Sequence, residues 1–194
     1  MICIGVLALQ GSVVEHIKML NSIEDVQAIE VRTINDLDII FGLILPGGES
    51  TTIGKLLNIF DLMNPIKSKI KQGMPVWGTC AGMILLAKEI VGEDTVHLGV
   101  MDIVVKRNAY GSQLDSFKTT IVIPEICCDE IPLAFIRAPW VEKALGNVKV
   151  LANINNKIVA VQQDNMLATS FHPEISDNLC FHKYFVDMAK KWKL

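Results

Sequence analysis

The chemistry in this chain concentrates at Gly78-Thr79-Cys80-Ala81-Gly82. The apolar run Pro75-Val76-Trp77 leads into it, and the helix-like stretch Met83-Ile84-Leu85-Leu86 follows at once. Strand, Gly-x-Cys-x-Gly and helix in that order form the layout of a nucleophile elbow, with cysteine in the place more often filled by serine. The flanking glycines let strand and helix cross closely. Unpaired N–H groups at the helix start favour negative charge on the Cys80 sulfur. A cysteine that merely opens a core helix would need neither glycine.

A cysteine attacking a carbonyl needs a base, and the base is usually held by a third group. The segment Ser170-Phe171-His172-Pro173-Glu174 offers both. In extended backbone, residues i and i+2 project to the same side, and Pro173 biases His172 toward an extended conformation. His172 is therefore the expected base and Glu174 the group that fixes its tautomer, both at a strand end. His16 and His182 fall on predicted helices and His97 in a hairpin region, and all three are read as structural.

The oxyanion formed in such an attack needs backbone donors. One is the N–H of the residue after the nucleophile, here Ala81. The other is expected from an earlier strand–helix loop, and Leu45-Pro46-Gly47-Gly48-Glu49-Ser50 stands where that loop should be. Consecutive glycines there let N–H groups come close to a ligand, with Gly48 the expected donor.

These groups need a frame, and hydrophobic patterning supplies one. Residues 2–9 form a continuous apolar run, as in a strand buried on both faces. Ser12-Val13-Val14-Glu15 reads as a capping box with Ser12 as N-cap, followed by Val13, Ile17 and Leu20 at helical spacing. Strands are predicted at 26–31 and 39–45. Helices are predicted around Ile53, Leu56, Leu57 and Phe60 and over 66–72, and a strand at 76–79 enters the elbow. Alternation of strand and helix to about Ile90 predicts a parallel sheet covered on both faces. From 91 to 140, short β-like runs (101–106, 117–123, 133–136) broken by three prolines predict antiparallel strands or hairpins added to the sheet. Further strands are expected at 148–154, 157–162 and 166–171. A last helix carries Phe181, Tyr184, Phe185, Met188 and Trp192 on one stripe, with lysines toward its C-terminal end.

Composition narrows the class. A length of 194 residues with 51% hydrophobic and 20% charged residues suits one folded domain over 1–194 and leaves no case for disorder. No apolar run approaches a membrane span. A net charge of −3 and no basic cluster argue against nucleic acid as the main partner. The start Met1-Ile2-Cys3-Ile4 carries no basic leader, and five cysteines without C-x-x-C spacing suit free thiols in a reducing cytoplasm. Four scattered histidines give no metal-ligand spacing, and neither a metal nor a cofactor is expected.

The order of elbow, glycine loop and late His-x-Glu resembles the class I glutamine amidotransferases. The resemblance is closer still to the glutaminase subunits of pyridoxal 5′-phosphate synthases. It rests on Leu9-Gln10-Gly11 with Glu15-His16, Pro46-Gly47-Gly48-Glu49-Ser50-Thr51-Thr52, Gly78-Thr79-Cys80-Ala81-Gly82, Arg107-Asn108-Ala109-Tyr110-Gly111, Asp115-Ser116-Phe117, Phe135-Ile136-Arg137-Ala138-Pro139 and Phe171-His172-Pro173-Glu174. The elbow alone marks the broad superfamily, whereas the Arg-Asn-x-aromatic-Gly, Ser-Phe and Ile-Arg-Ala-Pro segments are far more specific. The sequence departs from the pattern at Ser112, where many relatives are basic, and at Ile175, where leucine is usual.

The resemblance implies an α/β fold, a flavodoxin-like three-layer sandwich whose mostly parallel central sheet carries added antiparallel strands. It implies a catalytic triad of Cys80, His172 and Glu174. Glutamine contacts are implied from Gly48, Glu49, Ser50, Arg107, Ile136 and Arg137. It also implies release of ammonia to a synthase subunit that makes pyridoxal 5′-phosphate from ribose 5-phosphate and glyceraldehyde 3-phosphate. Three other readings stay open on the residues: the glutaminase of a different biosynthetic complex, a catalytically silent binding subunit, and a stand-alone γ-glutamyl hydrolase.

Overall fold

The structure is a computed structural model that describes residues 1–107 and 116–193. Asn108, Ala109, Tyr110, Gly111 and Asp115, which carry part of the resemblance, and Ser112, where the sequence departs from it, lie outside the described residues.

In chain order the elements are β1 (Ile2–Leu7), α1 (Val13–Asn21), β2 (Val26–Val31), α2 (Ile34–Asp38), β3 (Leu43–Leu45), α3 (Ser50–Ile59), α4 (Met63–Lys71), β4 (Val76–Thr79), α5 (Ala81–Leu86), β5 (Ala87–Ile90) and β6 (Met101–Lys106). Then come β7 (Ser116–Ile123), β8 (Cys127–Ile136), β9 (Trp140–Ala144), β10 (Lys149–Ile154), β11 (Lys157–Gln163), β12 (Met166–Thr169), a 3₁₀ turn (Pro173–Ile175) and α6 (Cys180–Lys193). The main sheet runs β2-β1-β3-β4-β12-β11-β9-β6-β5, with β10 paired to β11. From β2 through β12 every pairing is parallel; β11 and β9 add antiparallel neighbours.

Alternation along the buried strands divides the core between two faces. Leu43, Leu45, Val76, Met166 and Ala168 pack with α2 to α5, while Ile4, Val6, Ile44, Trp77 and Leu167 pack with α1 and α6. This is the three-layer arrangement expected from the sequence. Because β1, β3, β4 and β12 run parallel, their C-terminal ends open at one edge of the sheet, where ligands bind in open α/β folds. No helix among the described residues is long and apolar enough to cross a membrane.

Several local expectations change. The β7–β8 hairpin does not join the main sheet; it forms a two-stranded sheet of its own, packed through Ile131, Leu133 and Phe135 against Phe171 and Phe181. The predicted third strand shrinks to β3, and the short helix α2 precedes it, started by a capping box between Thr33 and Asp36. The helix after the elbow stops at Leu86, and the chain continues directly as β5. All six α5 residues are buried, so no polar face marks the end of that helix in sequence.

The capping box read at Ser12 is absent. Ser12 stands at the N-cap of α1, but its φ of −78° and ψ of 61° turn the side chain away from the helix amides. Its hydroxyl serves elsewhere.

Candidate active site

Four strand ends bring the predicted groups together. Gln10, Gly11 and Ser12 follow β1, Gly47 to Ser50 follow β3, Cys80 follows β4 and His172 follows β12. They line one cavity of about 560 Å³, together with Ala81, Ile84, Arg107, Ile136, Arg137 and Pro139.

Cys80 sits between β4 and α5 with φ 49° and ψ −102°, a conformation that costs a non-glycine residue of order 1–3 kcal/mol. Close packing holds it there. Its N–H donates to the Thr169 carbonyl at 2.8 Å, tying the ends of β4 and β12. A Cβ on Gly78 would run into the Gly82 backbone, and one on Gly82 into the Leu45 carbonyl. Both elbow glycines are thus required by contact, as the spacing suggests.

His172 and Glu174 do pair, but not from an extended strand. The strand ends at Thr169, and Pro173, with its φ already suited to a helical turn, starts the 3₁₀ turn that contains Glu174. Within it His172 Nδ1 lies 2.7 Å from Glu174 Oε1. The His172 N–H donates to the Ala134 carbonyl at 2.8 Å, so β8 positions both this histidine and the Ile136-Arg137 corner that lines the cavity. Gly47 backs the imidazole: a Cβ there would collide with the His172 ring.

Burial alone would lower the basicity of His172, but hydrogen bonds to the Cys80 sulfur and to Glu174, with their charges, push it well above the ordinary imidazole value. Burial likewise works against the Glu174 charge. The His172 hydrogen bond, nearby His16 and the Ser12 hydroxyl, which donates to Oε1 at 2.7 Å, overcome that and hold the carboxyl well below its usual range.

The glycine loop is pinned from the β1 side. The Gly47 carbonyl accepts the Ser12 N–H at 3.0 Å, and the Glu49 N–H donates to Gln10 Oε1 at 2.8 Å. Glu49 then caps α3, accepting from the Thr51 and Thr52 amides at 3.2 and 2.6 Å. Partial burial opposes its charge, yet hydrogen bonds from Thr52 and Thr51 lower its pKa to about 2. Arg107 reaches across to Glu49 at 3.2 Å and to Glu93 at 3.0 Å. Ser50 is buried, and its hydroxyl has no hydrogen-bond partner among the described residues.

All the predicted site residues therefore border one cavity, except Glu174, which lies behind His172 out of solvent. Reading the sequence missed Gln10, Glu93 and the link from Ser12 to Glu174. It also set aside His16, whose Nε2 is 3.5 Å from Glu174 Oε2. Ser12 and His16 are four residues apart at the start of a helix, which places them on one face, and that spacing was the available signal. No group of three or more His, Cys, Asp or Glu side chains among the described residues is arranged to hold a metal ion.

Comparison with known proteins adds independent findings. The model of the SNO glutamine amidotransferase family matches residues 6–191. The pyridoxal 5′-phosphate synthase subunit PdxT of Thermoanaerobacter sp. (strain X514) is 56% identical over 94% of this chain and 97% of that protein. The subunit of the same name from Clostridium botulinum (strain Loch Maree / Type A3) is 53% identical over the full length of both. A crystal structure of a glutamine amidotransferase superposes with a TM-score of 0.90 at 40% identity, covering 96% of this chain and 98% of that one. A glutamine amidotransferase of Thermotoga maritima shares the fold, with a TM-score of 0.64 at 14% identity over 100% of this chain and 86% of that one.

Proposed function

The chain belongs to the SNO glutamine amidotransferase family, and on that premise we propose that it hydrolyses L-glutamine to L-glutamate and ammonia at Cys80. The ammonia passes to a synthase subunit that makes pyridoxal 5′-phosphate from ribose 5-phosphate and glyceraldehyde 3-phosphate. One glutamine amidotransferase domain over 1–194 does this in the cytoplasm, where a thiol nucleophile stays reduced. The observation that carries the reading is the 2.7 Å contact of His172 Nδ1 with Glu174 Oε1, made by a histidine that lines the same cavity as Cys80.

In this mechanism the Cys80 thiolate attacks the carboxamide carbon, and the N–H groups of Gly48 and Ala81 stabilise the oxyanion. His172 protonates the departing nitrogen, and ammonia leaves a glutamyl thioester. His172 then takes a proton from water, which attacks the thioester; the sulfur departs and glutamate is freed. Glu174 holds Nδ1, which leaves Nε2 to face the sulfur. The Ser50 hydroxyl, without a hydrogen-bond partner among the described residues, the Glu49 carboxylate and the Ile136-Arg137 backbone suit the polar end of the substrate, with Arg107 or Arg137 taking its α-carboxylate.

The test is glutamate release by the full chain mixed with a synthase subunit. Cys80→Ala should abolish it, and a glutamine analogue bearing a leaving group should label Cys80 while sparing Cys3, Cys127, Cys128 and Cys180. Full activity in the alanine variant would remove the assignment.

A further inference from the structure

Behind the proposed triad lies a second row of polar groups that the mechanism above does not use. Glu174 Oε1 is satisfied twice, by His172 and by Ser12, but Oε2 is buried and has no hydrogen bond that meets ordinary geometric criteria among the described residues. A buried carboxylate oxygen left bare is costly. Facing it at 3.5 Å is Nε2 of His16, which also lies 3.3 Å from Thr79 Oγ1. The other ring nitrogen of His16 lies 3.0 Å from His182 Nε2, and His182 Nδ1 is buried with no partner among the described residues. His16 and His182 are both fully buried, and the Trp77 ring packs edge-on against each, at 5.7 and 5.0 Å.

One assignment of protons satisfies this row better than the other, although the Thr79 hydroxyl can pair with His16 Nε2 in either. If His16 carried its proton on Nδ1, its Nε2 lone pair would face the lone pairs of a carboxylate. His182 would then accept at Nε2 and leave an N–H at Nδ1 buried without an acceptor. With the proton on Nε2 of each ring, His182 donates to His16 and His16 donates toward Glu174, and only a bare acceptor nitrogen is left over. An unmatched acceptor is tolerated more readily than an unmatched donor.

We propose that His16 is a positioning residue for the reaction. Its Nε2–H, set in that tautomer by His182, holds the second oxygen of Glu174, so that Glu174 in turn holds the His172 ring on the Cys80 sulfur. The inference rests on the glutaminase reading. Ser12 at the N-cap of α1 and His16 in its first turns then grip the two oxygens of one carboxylate, while His172 takes the remaining position on Oε1. A carboxylate fixed at both oxygens cannot swing, and neither can the imidazole it orients.

Two readouts test this. Long-range ¹H–¹⁵N correlation on the wild-type chain, labelled with ¹⁵N-histidine, should find His16 and His182 neutral and protonated at Nε2 at neutral pH. His16 protonated at Nδ1 overturns the proposal whatever the activity. In glutamate release with the synthase subunit present, His16→Met removes the donor at similar volume. It should lower kcat by ~10-fold or more with KM within about twofold. His16→Gln returns an N–H at similar reach and should recover most of the loss. Wild-type kcat in the methionine variant overturns the proposal, as does a folded glutamine variant no better than methionine. Should the methionine variant not fold, the wild-type tautomer and the glutamine variant decide. A wild-type complex that releases no glutamate removes the glutaminase reading itself; an active wild type with His16 protonated at Nδ1 removes only this inference.

Discussion

The Ser12 hydroxyl donates to Oε1 of Glu174 at 2.7 Å, joining two residues 162 positions apart. It ties the loop after β1 to the 3₁₀ turn after β12, the first and last of the four parallel strands, in chain order, that frame the cavity. A hydrogen bond to a buried charge is worth about 1.5–3 kcal/mol. Ser12→Ala should therefore lower the unfolding free energy by a comparable amount, read from the shift in urea midpoint, and slow glutamate release as well. An unchanged midpoint would mean that the contact carries no stability.

Losses at the base and at its orienter should differ. If His172 moves the proton in both half-reactions as proposed, His172→Ala should cost at least ~10²–10⁴-fold in turnover. Glu174→Gln keeps the imidazole but weakens its hold, so the loss should be smaller. Were His16→Ala inactive and His172→Ala active, the triad would have to be redrawn.

Much of this frame was legible in the sequence, because parallel strands buried on both faces read as apolar runs and the elbow has a fixed spacing. What escaped did so for physical reasons. β7 and β8 look in sequence like any alternating strands, and only their packing on Phe171 and Phe181 separates them from the main sheet. The capping box at Ser12 was misread because its residue types fit, while a carboxylate far along the chain took its hydroxyl. His16 was set aside since its one local signal, the four-residue spacing from Ser12, says nothing of a carboxylate that arrives from far along the chain. Arg107 was expected at the site, but its present partners, Glu49 and Glu93, arrive from two different loops.

That engagement of Arg107 bears on substrate affinity. If the glutamine carboxylate takes the guanidinium, removing the charge should weaken binding in ground and transition states alike. Arg107→Gln should raise KM by about 10-fold or more and change kcat little. A variant with normal KM would transfer the carboxylate to Arg137.

The buried histidines predict an early loss of stability in acid. Burial, with His16 adding to it, lowers the His182 pKa to about 3, and burial keeps His16 below its ordinary value. Below about pH 6.5 the unfolded chain takes up protons that the folded protein refuses, so stability falls with pH by up to about 1.4 kcal/mol per unit for each histidine. His172 is raised and stays protonated in the folded protein across this range. Its unfolded form takes up a proton only around pH 6.5, so it offsets part of the decline between pH 7 and 6, adds nothing further near pH 5, and loses its contribution as pH rises toward its folded value. Glu174, lowered, adds its own loss below about pH 4.3. Urea unfolding at pH 7, 6 and 5 should show the decline, and His182→Leu should flatten it by about one proton. A level profile down to pH 5 would contradict the neutral, buried pair.

The glycine loop is less free in the structure than its sequence suggests. The Gly47 carbonyl is held by the Ser12 N–H at 3.0 Å, and the Ser12 hydroxyl lies 3.4 Å from it. In a trans peptide the Gly48 N–H points opposite to that carbonyl, so the direction of the expected oxyanion donor depends on whether Ser12 keeps its hold. Turning the peptide means breaking that hold, and a partner pressing on the loops after β1 and β3 could supply the difference. Loss of one oxyanion donor typically costs ~10²–10³-fold in turnover. The chain alone, at saturating glutamine, should therefore release glutamate more slowly than the complex by up to about that factor. Ammonia would then be made only where a synthase can use it. Equal rates with and without the synthase subunit would remove the coupling and favour a stand-alone hydrolase.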